Sequence, residues 1–214
     1  MFAWKTAAWN LATGSDAPLP KLDARTSGMV AGTKVATASG WARIETINAG
    51  MQVLTFDGGL QTVVSVTRHV LMADTVDIAS WPMAVPAGAL GNREAMTILP
   101  HQPVMIESDL AEEMTGDPFA LIPATALDGL RGITPTRPDA WIEVIQLHFA
   151  RDEIVFANIG ALFLCRAAAD LTLTTPLDDY TVLPLELADD LVDYLAAEEL
   201  PAPHHAPMQQ TVAA

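Results

Sequence analysis

The 214 residues allow one large domain, or one domain with a sizeable appendage. Half of them are apolar and only 17% are charged, which supplies a buried core and excludes a wholly disordered chain. Eleven basic against 26 acidic residues leave a net charge of −15, with no Lys/Arg cluster to offset it. Such a surface repels phosphate, so neither nucleic acid nor an anionic membrane is an expected partner.

The first 26 residues are mixed and turn-rich. Gly14-Ser15-Asp16 and Pro18-Leu19-Pro20 break any long helix there. The opening stretch has no clean apolar run after Lys5, so no Sec signal is expected, and no segment reaches the ~18 apolar residues of a membrane span. The expected location is the cytoplasm, or outside it by a non-Sec route. A single cysteine, Cys165, excludes an internal disulfide; it lies in an apolar run and reads as a small buried hydrophobe.

Residues 27–165 carry short β-type runs separated by turns, the pattern of an all-β domain. Residues 34–37 and 41–44 flank Ala38-Ser39-Gly40 as a hairpin. Residues 51–56 alternate and stop at Asp57-Gly58-Gly59. The β-branched stretch 61–71 is long enough to bend between two sheets, and residues 88–92 read as a turn rather than a dinucleotide loop. A short strand is expected at residues 103–106 and a brief helix at 109–114, with acids in its first turn. Residues 141–149 and 153–157 read as the clearest hairpin, with Asp152 at its tip.

Residues 166–214 hold one cation, Arg166, and nine acids, so less than a quarter of the chain carries −8 of the −15. That reads as an acidic appendage rather than a second core. Within it, Leu187, Leu191, Tyr194 and Leu195 share one face of a predicted amphipathic helix ended by Pro201, and the chain from Ala202 onward reads as disordered. A protein partner could meet the chain through this acidic tail. No metal site is expected: His204-His205 has no partner ligands at a useful spacing, and the acids at 107–117 lack EF-hand spacing and read as a solvated helix face.

Over residues 32–58 the order is a Gly-Thr strand, a Gly turn, Ile44-Glu45-Thr46-Ile47, then Gly50-Met51-Gln52-Val53-Leu54-Thr55 and Asp57-Gly58. This resembles the opening block of a Hint (hedgehog/intein) domain, its bacterial branch more than splicing inteins. Residues 97–106, with His101, resemble the family's second block, and residues 141–158 its late hairpin. The resemblance covers roughly residues 27–165 and implies a flat, pseudo-two-fold all-β horseshoe with short helices. It implies no cofactor.

A self-processing member of this family starts with a Cys or Ser that attacks the carbonyl just before it. The fold must then strain the peptide, protonate the departing nitrogen and hold the oxyanion. Transferred onto this chain, the nucleophile slot falls on Gly28, with Ser27 one residue away. The second-block histidine slot falls on Gln102, with His101 one residue early, and the assisting threonine corresponds to Thr97. Asp152 stands where the family often has a histidine, and no His-Asn pair ends the domain. The catalytic candidates or remnants are therefore Ser27, Thr97, His101 and Asp152. The pattern implies a degenerate autoprocessing domain acting as a scaffold or binding module. The alternative is active cleavage before Ser27 by an N-to-O acyl shift.

Overall fold

The computed structural model describes residues 21, 26–72, 76–168 and 180–199. Its strands in chain order are β1 (Met29–Val30), β2 (Lys34–Thr37), β3 (Gly40–Arg43), β4 (Gln52–Thr55), β5 (Gly59–Thr62), β6 (Ser65–Met72), β7 (Met83–Val85), β8 (Met96–Ile98), β9 (Pro103–Glu107), β10 (Phe119–Pro123), β11 (Thr134–Pro135), β12 (Trp141–His148), β13 (Glu153–Ala157) and β14 (Ala161–Cys165). Two α-helices accompany them, α1 (Asp109–Thr115) and α2 (Leu185–Glu198). No described helix is long and apolar enough to cross a membrane.

The strands form two sheets. One has six strands in the order β11-β7-β8-β1-β12-β6. The other has eight, running β10-β9-β14-β13-β2-β4-β5 with β3 on β2. The hairpin expected around Ala38-Ser39-Gly40 forms, β2 with β3, and the turn expected at Asp57-Gly58-Gly59 joins β4 to β5, which pair. The long run 61–71 does pass between sheets. It is interrupted at Val63-Val64, where β5 leaves the eight-stranded sheet and β6 enters the six-stranded one.

The hairpin expected across residues 141–157 does not form. β12 pairs with β6 over its full length and with β1, whereas β13 pairs with β14, β2 and β4 in the other sheet. Asp152 is therefore buried in a corner and not at an exposed tip. Its Oδ1 accepts from the Ala167 amide at 2.7 Å and its Oδ2 from Arg166 Nη1 at 2.6 Å. Phe149, itself buried, bridges to Ala167, so the chain rounds the corner against the 165–168 segment. Local alternation marks both strands correctly but says nothing about which partner each one finds.

A single large cluster joins the sheets, including Met29, Val35, Ile98, Ile122, Ile145, Phe149 and Phe163. Ser108 caps α1, its side chain accepting from the Leu110 amide. Helix α2 buries Ala188, Leu191, Val192 and Leu195 in that same cluster. The buried face is thus turned from the expected one, because Leu187 and Tyr194 remain 40% and 37% exposed. Positions 188, 191, 192 and 195 give the tighter i, i+3, i+4, i+7 stripe, and a small Ala188 lets the helix axis approach. Pro201 and the segment from Ala202 onward lie outside the described residues.

Candidate functional site

Residues 27–29 enter the six-stranded sheet beside β12, and the 101–103 turn closes over them from the start of β9. Between these elements and the end of β14 is a cavity of about 230 Å³. Ser27, Gly28, His101, Gln102, Gln146 and His148 line it, with Cys165 and Arg166.

The peptide joining Ser27 to Gly28 is held at both ends. The Ser27 carbonyl accepts from Gln146 Nε2 at 2.8 Å. The Gly28 amide donates to Gln102 Oε1 at 2.9 Å. Gln102 is buried, and its Nε2 also donates to the Pro103 carbonyl at 3.1 Å and the Leu164 carbonyl at 3.0 Å. One amide side chain thereby ties the start of β1, β9 and β14 together, with its polar atoms satisfied as burial demands.

Gly28 has no space for a side chain. A Cβ there would stand 2.8 Å from Val144 Cγ1 and 2.9 Å from Gln146 Cγ, at a φ of +131°. The backbone is in a region that L-residues with a Cβ avoid.

Of the residues singled out from sequence, Ser27 and His101 share the cavity. Asp152 approaches it only through Arg166, the cavity-lining cation whose guanidinium it accepts from. Thr97 is not brought to the same place. It sits on β8 opposite Ala84 and lines a separate cavity of about 230 Å³ with Gly32, Thr33 and Asn158. His148 lines the first cavity, its Nε2 3.2 Å from Thr67 Oγ1 and its buried Nδ1 without a hydrogen-bond partner among the described residues. Sequence reasoning missed Gln146 and His148 as lining residues. The available signal was the pair Gln146 and His148, two residues apart at the end of a largely apolar strand.

Burial pushes the Cys165 thiol up to about 12, and the carboxylates of Asp152 and Glu153 add to the effect. It is thus not a thiolate nucleophile near neutral pH. Among the described residues no group of three or more His, Cys, Asp or Glu is placed to hold a metal ion.

The family model of the Hint domain matches residues 27–162, well over half of the chain. The chain belongs to the Hint domain family. Solved structures of inteins resemble this Hint domain at low identity. A splice-inactive variant of the AceL NrdHF class 3 split intein is 14% identical at a TM-score of 0.46, over 67% of this chain and 100% of that one. The bacterial intein-like domain from Clostridium thermocellum is 17% identical at 0.47, over 66% and 99%. The gp41-1 intein is 14% identical at 0.40, over 66% and 98%. No curated protein matches this Hint domain.

Proposed function

We propose that this Hint domain has lost self-cleavage and serves as a scaffold or binding module. The observation that carries the reading is the Ser27–Gly28 peptide. Its carbonyl and amide are both gripped, yet the residue in the nucleophile slot has neither a side chain nor room for one. Acyl transfer from an amide needs an attacking atom and an acid that protonates the departing nitrogen. Gln102 offers the Gly28 nitrogen a carbonyl oxygen, which accepts a proton-bearing N–H and has no proton to give. The hydrogen bonds that would orient a scissile peptide here hold a structural one.

A second reading keeps the chemistry and moves it one residue, with Ser27 attacking the Thr26 carbonyl. What favours it is that Ser27 and His101 line one cavity. The intact mass of full-length protein, incubated for a day at neutral pH with and without hydroxylamine, separates the two. An unchanged mass supports the scaffold reading. A new fragment beginning at Ser27 overturns it, and loss of that fragment in Ser27→Ala would assign the ester.

A further inference from the structure

A second groove, sharing no residue with the Ser27 cavity, lies on the eight-stranded sheet and has a volume of about 300 Å³. Three segments build it. The turn after β4 supplies Phe56 and Asp57, the entry to β10 supplies Asp117 and Phe119, and residues 180–183 supply Tyr180. That last segment is fixed to β10 by the Leu183 amide, which donates to the Leu121 carbonyl at 2.8 Å. The Phe56 and Phe119 rings stand nearly perpendicular, at 71° with centroids 5.1 Å apart, and form a corner. Tyr180 adds a third ring, oriented by the hydrogen bond its hydroxyl donates to Asp57. Asp117 Oδ1 accepts from the Phe119 amide at 2.9 Å, which keeps the second carboxylate at the same rim. All three rings are only half-buried, and both carboxylates are exposed.

Among the described residues no Lys, Arg or His lines this groove; Arg151, whose charge reaches Tyr180, lies outside the lining and is paired with Glu153. Aromatic faces carry negative potential, and three of them beside two carboxylates attract a cation that also has apolar surface to bury. A strongly hydrated metal ion would gain little from the rings, and an anion would be repelled. We infer that this groove is a binding site for an alkylammonium cation, the chemistry shared by a free quaternary ammonium molecule and a methylated lysine side chain. The net charge of −15 raises the local concentration of such a ligand.

The test uses full-length protein and two probes of equal shape, choline and its neutral isostere 3,3-dimethyl-1-butanol, followed through the Phe and Tyr ring resonances by NMR. Choline is expected to shift the rings of Phe56, Phe119 and Tyr180 saturably and to bind about tenfold or more tightly than the isostere. Phe119→Leu, which keeps an apolar side chain against the core, is expected to weaken choline at least fivefold, whereas Tyr180→Phe keeps the ring and stays within about threefold. Asp57→Asn, an exposed change, weakens choline without altering the isostere and serves if Phe119→Leu does not fold. A peptide bearing trimethyllysine that binds more tightly than choline identifies a peptide source; binding no tighter than choline identifies a small molecule. Equal affinity for choline and its isostere, or no saturable shift with choline, overturns the proposal.

Discussion

On the proposed reading, a side chain placed at position 28 should damage the fold instead of restoring chemistry. In Gly28→Cys or Gly28→Ala the new Cβ meets Val144 Cγ1 at 2.8 Å, Gln146 Cγ at 2.9 Å and the Ile145 carbonyl oxygen at 3.2 Å. Val144 is fully buried on β12 and cannot swing out. Forcing a side chain into such a site costs about 1–3 kcal/mol from overpacking. Holding a non-glycine residue at this φ costs a further ~1–3 kcal/mol. The expected loss is roughly 2–6 kcal/mol, which at about 2–4 °C per kcal/mol for a chain of this size lowers Tm by about 4–24 °C. Urea and thermal unfolding of Gly28→Ala measure it, and intact mass with added thiol shows whether Gly28→Cys yields fragments. Gly28→Ala within ~0.5 kcal/mol of the parent would refute the steric argument. Thiol-induced cleavage of Gly28→Cys at residue 28 would refute the claim that the slot cannot work.

Ile159 is a β-branched residue held at φ +86° and 41% exposed, so Ile159→Gly should gain about 1 kcal/mol by removing strain while losing little burial, read as a higher urea midpoint at unchanged slope. With its thiol raised to about 12 by burial first and by neighbouring carboxylates second, Cys165 should resist iodoacetamide at pH 8 in the native protein and label rapidly in urea. Fast native labelling would contradict that burial. Partial burial tends to raise the Glu45 carboxyl, but hydrogen bonds from the Gly32 amide and its own amide, with Arg43 beside it, outweigh burial and leave it below its ordinary 4.5. A folded-state value below the unfolded one gives stability that is full above about pH 4.5 and is lost as pH falls through the folded value. Glu45→Gln should therefore lower stability at pH 7 and flatten the acid limb of a stability-versus-pH curve, and an unchanged acid limb would contradict this sign.

Much of the strand inventory was legible because it depends on neighbours in sequence. Alternation and turn residues marked the hairpin around Ala38-Ser39-Gly40 and the strand that ends at the Asp57-Gly58-Gly59 turn, and the run of residues 32–58 carried the family resemblance. The absence of a side chain at position 28 was likewise plain in the sequence. What remained hidden were choices among partners far away in the chain. Residues 141–149 look as well suited to pair with 153–157 as with 65–72, and only the buried Asp152 corner and the competing edges of two sheets decide. The turned face of α2 was set in the same way, by the surface that the 124–127 turn and β10 present to the helix.

The cavity shows the same division. Sequence spacing brought attention to Ser27, His101, Thr97 and Asp152, since each lies near a family position along the chain. Register then sent Thr97 to another cavity and placed Gln146, 119 residues from Ser27, against the Ser27 carbonyl. The sequence by itself determined the all-β class, the family and the glycine at position 28, because these are written in local pattern and residue identity. Tertiary structure alone decided that Gly28 cannot be refilled and that two glutamines hold its peptide. Both depend on the packing of β1 against β12 and the 101–103 turn, contacts between residues 74 or more positions apart.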